Sequence, residues 1–128
     1  MTIARSTGAF SGTDESTGNT ITNNSTNTGS EIDVLGDNSS VGDLNVYLRF
    51  TSSVTAGSLD VTIQRHRVTG GSYAQVAAQF SVSPINGTGK YFLGRIPASR
   101  YMSGDVKNNA TGASATNVAL LYELFKLS

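Results

Sequence analysis

The chain lacks cysteine and tryptophan, and it has a single histidine among its 128 residues. Without cysteine it forms no disulfide bonds, and one histidine cannot build the usual cysteine and histidine site for zinc within a single chain. The lack of tryptophan counts against a sugar-binding platform, since such platforms usually present exposed tryptophan and tyrosine rings. We therefore expect no metal centre and no cofactor.

The residues needed for catalysis are also scarce. A serine triad would have to use His66, which stands between Arg65 and Arg67 on a predicted strand. The two neighbouring cations disfavour the imidazolium ion, and no obvious carboxylate in the sequence orients the ring. Asp37 and Asp43 bracket a turn, where aspartate commonly bonds to the backbone, so we interpret them as turn residues and not as a calcium site. We assign no catalytic residue and expect neither enzymatic activity nor a small-molecule substrate.

The charges exclude some classes of partner. There is no run of lysine and arginine and no apolar run of about 18 residues, so we expect neither nucleic acid nor a membrane as partner. Residues 1–64 hold two basic and seven acidic side chains, whereas residues 65–128 hold seven basic and two acidic ones. This uneven distribution of charge fits a charged surface that binds a surface of opposite charge. It equally fits a sandwich in which strands from both halves lie side by side, so that their opposite charges cancel locally.

What the chain does have is a period of two in its apolar residues. Between residues 43 and 64, two alternating runs joined by a polar turn predict a long β-hairpin with one buried face. Further strands are predicted over residues 31–35, 73–82, 90–96, 100–107 and 117–127. Seven or eight strands at spacings of about ten residues predict an all-β, antiparallel sandwich or barrel. We expect under about a tenth of the residues to be helical.

The predicted strand over residues 117–127 is the most apolar part of the chain. Leucine, alanine and glutamate would also suit a helix there, but alternation favours a strand that is apolar on both faces. Such a strand fits the middle of a sandwich or a contact between subunits. Leu121 and Phe125 belong to the set that faces away from Val118 and Leu120, and we expect them to bind a partner.

The N-terminal part is polar. Seventeen of the twenty residues from 11 to 30 are Ser, Thr, Gly or Asn. The segment therefore has too few apolar groups to offset the conformational entropy that it would lose on ordering. We therefore predict an extended arm or flexible linker over residues 1–30 and a sandwich domain over residues 31–128. Ile21 is the one large apolar residue of residues 11–30, and we expect it to bind a partner by adding to a neighbouring sheet edge.

Several segments resemble small virion proteins of tailed bacteriophages. Residues 57–64 give a small-residue turn and an alternating strand that ends in glutamine, and residues 70–76 give a Gly-Ser turn followed by an aromatic residue and a valine. Residues 100–101, an Arg-Tyr pair that opens a strand, and the apolar strand at residues 118–124 complete a resemblance that covers residues 43–126. It implies a capsid decoration, or cement, protein: a jelly-roll-like sandwich on the capsid exterior, commonly a homotrimer, that binds the major capsid protein.

Four arginines stand at predicted strand ends and turns, where a guanidinium can pair bidentately with an acidic partner surface: Arg65, Arg67, Arg95 and Arg100. Ordinary solvated strand ends are the alternative interpretation. Two other functions also stay open. One is a receptor- or carbohydrate-binding module of a phage fibre or adhesin, and the other is a tail or head-completion protein of the same virion.

Overall fold

The structure is a computed structural model that describes residues 3–12, 18–37, 40–66 and 74–127. Its ten strands are β1 (Ile3–Ser11), β2 (Asn19–Ile21), β3 (Thr26–Thr28), β4 (Ile32–Asp33), β5 (Val41–Ser52), β6 (Ser58–His66), β7 (Ala74–Val82), β8 (Gly87–Pro97), β9 (Tyr101–Asn109) and β10 (Ala115–Leu127). Across these ranges there is no helix of the length and apolarity needed to cross a membrane. The prediction of an all-β protein is confirmed.

The strands form two antiparallel sheets. The first sheet has the order β1-β10-β5-β8, with β2 also paired to β10, and the second has the order β3-β9-β6-β7, with β4 also paired to β9. From β5 onward each strand lies in the opposite sheet from the strand before it, apart from the hairpin of β6 and β7. The predicted hairpin over residues 43–64 is therefore wrong: β5 and β6 lie in different sheets, and their apolar faces meet across the core. This connectivity is that of a jelly roll, and it confirms the predicted jelly-roll-like sandwich.

The core lies between the two sheets and follows the period of two. Leu44, Val46, Leu48 and Phe50 of β5 are all fully buried. The facing sheet contributes Leu59, Val61 and Ile63 from β6 and Met102 and Val106 from β9. Burying one such side chain stabilises the fold by roughly 1.5–3 kcal/mol, so this alternation is the main reason that the two sheets pack together.

β10 lies inside the first sheet, between β1 and β5. Its residues Val118, Leu120 and Leu124 face the core, whereas Leu121 and Phe125 lie on the opposite side of the strand. The prediction of a strand with apolar residues on both faces is confirmed. One strand therefore closes the core and supplies apolar side chains to the outer surface of the sheet.

The N-terminal part differs from the predicted arm. β1 pairs with β10 from Ile3, opposite Leu127, to Ser11, opposite Leu120. β2 and β3 then join the first and the second sheet. The sandwich therefore includes residues on both sides of the boundary predicted at residue 31. The physical reason is that backbone hydrogen bonds attach these polar strands to sheet edges, so few apolar side chains are needed.

Ile21, predicted to bind a partner, is instead a core residue of its own chain with 2% of its surface exposed. A fully buried amide holds it in place: Asn108 Nδ2 donates to Ile21 O at 2.9 Å and to Ala113 O at 2.8 Å. Thr111 Oγ1 donates to Asn108 Oδ1 at 2.5 Å. These bonds satisfy the buried amide, and they join the segment around Ile21 to the connection between β9 and β10.

One predicted core residue of β7 is exposed. The alternation over residues 73–82 predicts that Val76 faces inward with Ala78 and Phe80, yet 54% of the surface of Val76 is exposed. In the ladder with β6, Ala78 lies opposite Ile63 but Val76 lies opposite Gln64, so Ala77 is an extra residue in a β-bulge. A bulge moves the residues beyond it to the other face, which carries Val76 to the outside.

Replacing Ile21 with alanine tests the placement of the N-terminal segment. We expect Ile21→Ala to lower the free energy of unfolding by about 2–4 kcal/mol, because it opens a cavity in the core. Thr20→Ala, at the exposed neighbouring position, should change it by less than about 0.5 kcal/mol. Urea denaturation of the three proteins measures both values. Equal free energies of unfolding for Ile21→Ala and the parent would contradict this placement and support an N-terminal arm that does not pack on the sandwich.

Candidate functional site

The outer face of the first sheet is the surface that β1, β10, β5 and β8 turn away from the core. Residues that lie opposite each other on antiparallel strands share a face, so the strand register sets which side chains are neighbours there. We define this outer face by the residues Ile3, Arg5, Ala9, Val41, Asp43, Asn45, Tyr47, Lys90, Phe92, Arg95, Leu121, Glu123 and Phe125. It is the candidate functional site.

One row of the outer face is apolar across all four strands. Ala9 lies opposite Leu121, Leu121 opposite Tyr47, and Tyr47 opposite Phe92. The rings of Tyr47 and Phe92 pack with centroids 5.5 Å apart and planes tilted by 56°. Leu121 is nearly buried, whereas 58% of the surface of Phe92 is exposed. The result is an aromatic and aliphatic stripe that is open to solvent at its β8 end.

A second row places a cation on an aromatic ring. Asp43 lies opposite Phe125 on one side and Pro97 on the other. The guanidinium carbon of Arg95 is 5.1 Å from the centroid of the Phe125 ring, and Arg95 Nε is 3.4 Å from Asp43 Oδ2. Arg95 is therefore held by a ring and a carboxylate of its own chain, each a weak interaction at an exposed position.

Glu123 interrupts the apolar residues of β10, and polar neighbours compensate for it. Arg5 Nε donates to Glu123 Oε2 at 2.6 Å, and a second guanidinium nitrogen of Arg5 contacts the same oxygen. Asn45 Nδ2 donates to Glu123 Oε1 at 3.4 Å. Since each carboxylate oxygen has a donor, this half-buried charge is stable between two apolar rows.

A concave region opens on the outer face beside Leu121. Its volume is about 650 Å³, and its lining includes Arg5, Tyr47, Lys90, Leu121 and Glu123. Lys90 Nζ lies 5.3 Å from the centroid of the Tyr47 ring. The region thus combines a ring, an aliphatic side chain and charges of both signs, which suits recognition of a partially apolar surface.

The structure brings together three of the residues predicted to bind a partner. Arg95, Leu121 and Phe125 lie on the outer face of the first sheet, as described above. Arg65 lies at the end of β6, where Arg65 Nε donates to Gln75 Oε1 at 3.2 Å. Arg67 is outside the described residues, and Ile21 is in the core.

Arg100 lies just before β9, near Arg65 at the same end of the second sheet, because Arg65 lies opposite Met102. Two nitrogens of Arg100 donate to Asp33 Oδ2 at 3.3 Å each, and its guanidinium lies 4.9 Å from the centroid of the Tyr101 ring. Both Arg100 and Arg95 therefore pair with acids from the first half of the chain. The uneven distribution of charge along the sequence is thus partly cancelled in space.

Sequence reasoning missed Tyr47, Phe92, Lys90 and Arg5. One signal was present for the two rings, because Tyr47 and Phe92 alternate with the core residues of their strands and so point outward. Nothing in the sequence indicated that these rings meet. Their contact depends on the register between β5 and β8, which includes a bulge between Val46 and Tyr47.

The single histidine lies on the outer face of the second sheet. His66 Nε2 is 2.8 Å from Ser103 Oγ, and His66 Nδ1 is 3.8 Å from Glu31 Oε2. This carboxylate is not obvious from the sequence, because it is the pairing of β4 with β9 that carries Glu31 to Ser103. The 3.8 Å separation exceeds a hydrogen bond.

One backbone donor beside this cluster is already engaged. The Gly29 N–H lines the same depression, but it already donates to Gly104 O at 3.0 Å and to Asp105 Oδ1 at 3.3 Å. It is therefore not available to stabilise an oxyanion. In the described part of the chain, no group of three or more His, Asp or Glu side chains is placed to hold a metal ion.

On the outer face of the second sheet, the carboxylate of Asp60 joins three strands. Asp60 accepts hydrogen bonds from Ser58 and Ser81 at 2.8 Å and from Asn109 at 3.0 Å. Burial raises the pKa of Asp60, but the bonds from Ser81, Ser58 and Asn109, together with Lys107, outweigh burial and lower the pKa below its ordinary value. This arrangement ties β7, β6 and β9 together and is structural.

No protein-family model matches the chain, and a comparison with curated proteins also finds no match. The interpretation of the outer face therefore depends on its own residues.

Two truncations distinguish the packed part of the outer face from its free surface. Leu121→Ala should lower the free energy of unfolding by about 2 kcal/mol, because Leu121 is almost completely buried. Phe92→Ala should lower it by less than about 1 kcal/mol, because most of that ring is exposed. Urea denaturation at low protein concentration measures both effects. A loss at Phe92 as large as that at Leu121 would mean that the exposed end of the stripe is part of the core.

Proposed function

We propose that the chain is a structural virion protein that decorates and stabilises a bacteriophage capsid by binding the lattice of the major capsid protein from outside. The observation that carries the proposal is the apolar stripe on the outer face of the first sheet. The stripe lies on the side of the sheet that faces away from the core, and Phe92 at its end is largely exposed, so the stripe extends beyond what folding alone requires. The resemblance of residues 43–126 to small virion proteins supports the choice of a capsid.

The composition of the outer face favours a protein partner. Aromatic residues and arginine are enriched at protein interfaces, and this face combines Tyr47, Phe92 and Phe125 with Arg95. Ile3 and Val41 add exposed apolar surface at another row of the same sheet. The apolar groups are thus spread over several strands, which matches an extended protein contact better than the enclosure of a small molecule.

We assign the two parts of the assembly to two surfaces. The outer face of the first sheet, with Leu121 and Phe125, forms the contact between copies in a homotrimer. The end of the second sheet that carries Arg65 and Arg100 docks on acidic groups of the capsid lattice, where guanidinium groups steer association. The apolar contact thus determines the oligomeric state, and the polar contact determines the rate of docking on the capsid.

A second candidate is a receptor- or carbohydrate-binding module. It is favoured by one observation, the ring pair of Tyr47 and Phe92 beside a concave region that also contains Arg5, Lys90 and Glu123. Sugar rings stack on exposed aromatic faces, and charged side chains at the edge can bond to hydroxyl groups. The two candidates use the same face but differ in what occupies it.

The oligomer depends on the outer face, and Phe125→Asp tests this. We expect sedimentation of the parent at micromolar concentration to give trimers or larger species built from trimers. Phe125→Asp should give species smaller than a trimer, because the contact would bury an unpaired carboxylate. Ser114→Asp, in an exposed loop, is the control and should leave the trimer intact. The far-UV spectrum of each variant checks its fold. If Phe125→Asp still sediments as a trimer, the outer face is not the contact between copies.

We expect docking on the lattice to depend on the end of the second sheet that carries Arg65 and Arg100. We expect the parent to co-sediment with phage heads prepared without this protein. Arg65→Glu should slow association about tenfold and reduce its dependence on salt, because it removes electrostatic steering. Lys107→Glu, the same charge change elsewhere on the second sheet, should have a smaller effect. No co-sedimentation with heads, together with binding on a glycan array, would transfer the function to the second candidate.

A further inference from the structure

The edge of the second sheet at β7 differs in composition from the corresponding edge of the first sheet. β7 is nine residues long, contains neither a charged residue nor proline, and among the described residues pairs with β6 alone. β8, the edge of the first sheet on the same side, contains Lys90, Arg95 and Pro97. Charges and proline on an edge strand prevent other strands from pairing with it. β7 has neither of these protections.

The remaining sheet edges are interrupted or charged. On the far side of the second sheet, β3 and β4 are strands of three and two residues, separated by Gly29 and its neighbours. On the far side of the first sheet, β1 carries Arg5. The bulge at Ala77 limits regular pairing along β7, but the five residues beyond it, 78–82, form an uninterrupted strand.

The seam of the sandwich beside β7 is only half closed. Ala78, Phe80 and Val82 face the core but are partly exposed, and so are Tyr91 and Leu93 of β8 across the seam. Gly94 lies close to the Phe80 ring, since a Cβ at Gly94 would be 3.0 Å from it. A strand added to β7 would cover these half-buried apolar groups and supply partners for the free backbone edge.

The sequence of residues 78–82 is complementary to itself. In an antiparallel pair centred on Phe80, Ala78 of one copy lies opposite Val82 of the other, and both face the core. Gln79 lies opposite Ser81 of the other copy, and both are polar and face outward. The pairing brings no like charges together, which would otherwise oppose a symmetric contact.

We propose that β7 is a second contact surface and that its occupant is β7 of another copy of this chain, paired antiparallel across a twofold axis at Phe80. The pairing joins the second sheets of two copies into one continuous sheet and covers the half-closed seam. It uses a surface separate from the outer face of the first sheet. The inference therefore does not depend on the proposed function, and a chain that uses both surfaces would link trimers to one another.

Cysteine cross-linking tests the register, and the chain has no cysteine of its own to interfere. Directly opposed residues of an antiparallel pair lie within the reach of a disulfide. We expect an equimolar mixture of Gln79→Cys and Ser81→Cys proteins to form at least about fivefold more disulfide-linked dimer on mild oxidation than either variant alone. A mixture of Gln79→Cys with Gln75→Cys, whose cysteine lies beyond the bulge, is the control. Equal yields in all mixtures would overturn the proposal.

Sedimentation of Phe125→Asp separates this proposal from the trimer. If β7 pairs as proposed, Phe125→Asp sediments as a dimer. In the double variant Phe125→Asp, Gln79→Lys the dissociation constant of this dimer should rise about fivefold, because two lysines approach each other across the axis. A monomer for Phe125→Asp at the same concentration would overturn the β7 contact. A dimer for the parent that persists unchanged in Phe125→Asp would support the β7 contact while contradicting the homotrimer.

Discussion

The alternation of apolar side chains along β10 is the constraint on which the rest of the structure depends. A strand directs successive residues to opposite faces, so β10 directs Val118 and Leu120 into the core and Leu121 and Phe125 to the outside. Because β10 lies between β1 and β5, its inward residues hold the two sheets together. Of its outward residues, Leu121 lies in the apolar stripe and Phe125 lies in the second row of the same face. The same period of two therefore produces both the stable core and the surface proposed to bind other chains.

The sequence predicted the strands whose stability comes from side chains. β5 to β10 each contain an alternating apolar set, and each lies close to its predicted position. β1, β2 and β3 were not identified as parts of the sandwich, because their pairing comes from the backbone and their side chains are mostly polar. Ile21 illustrates the limit: the side-chain hydrogen bond to its carbonyl comes from Asn108, which is far away in the sequence. The exposure of Val76 likewise depends on one bulge that alternation cannot reveal.

The candidate site was predictable only in part, for a related reason. The outward direction of Leu121 and Phe125 followed from alternation within one strand. The contacts of Tyr47 with Phe92 and of Arg95 with Phe125 require the register between strands that are distant in sequence. The ion pair of Arg100 with Asp33 has the same origin. Sequence patterns therefore gave the composition of each face, while the topology determined which residues of different strands meet and which charges cancel.

The central claim is that the outer face of the first sheet is a contact between protein chains on a capsid. A cryo-EM reconstruction of the intact phage particle tests this most directly. The account predicts density for the chain on the exterior of the head, grouped around a threefold axis, with Leu121, Phe125 and Phe92 covered by a neighbouring copy. Density elsewhere in the particle, or on the head with this face fully exposed to solvent, would contradict the account.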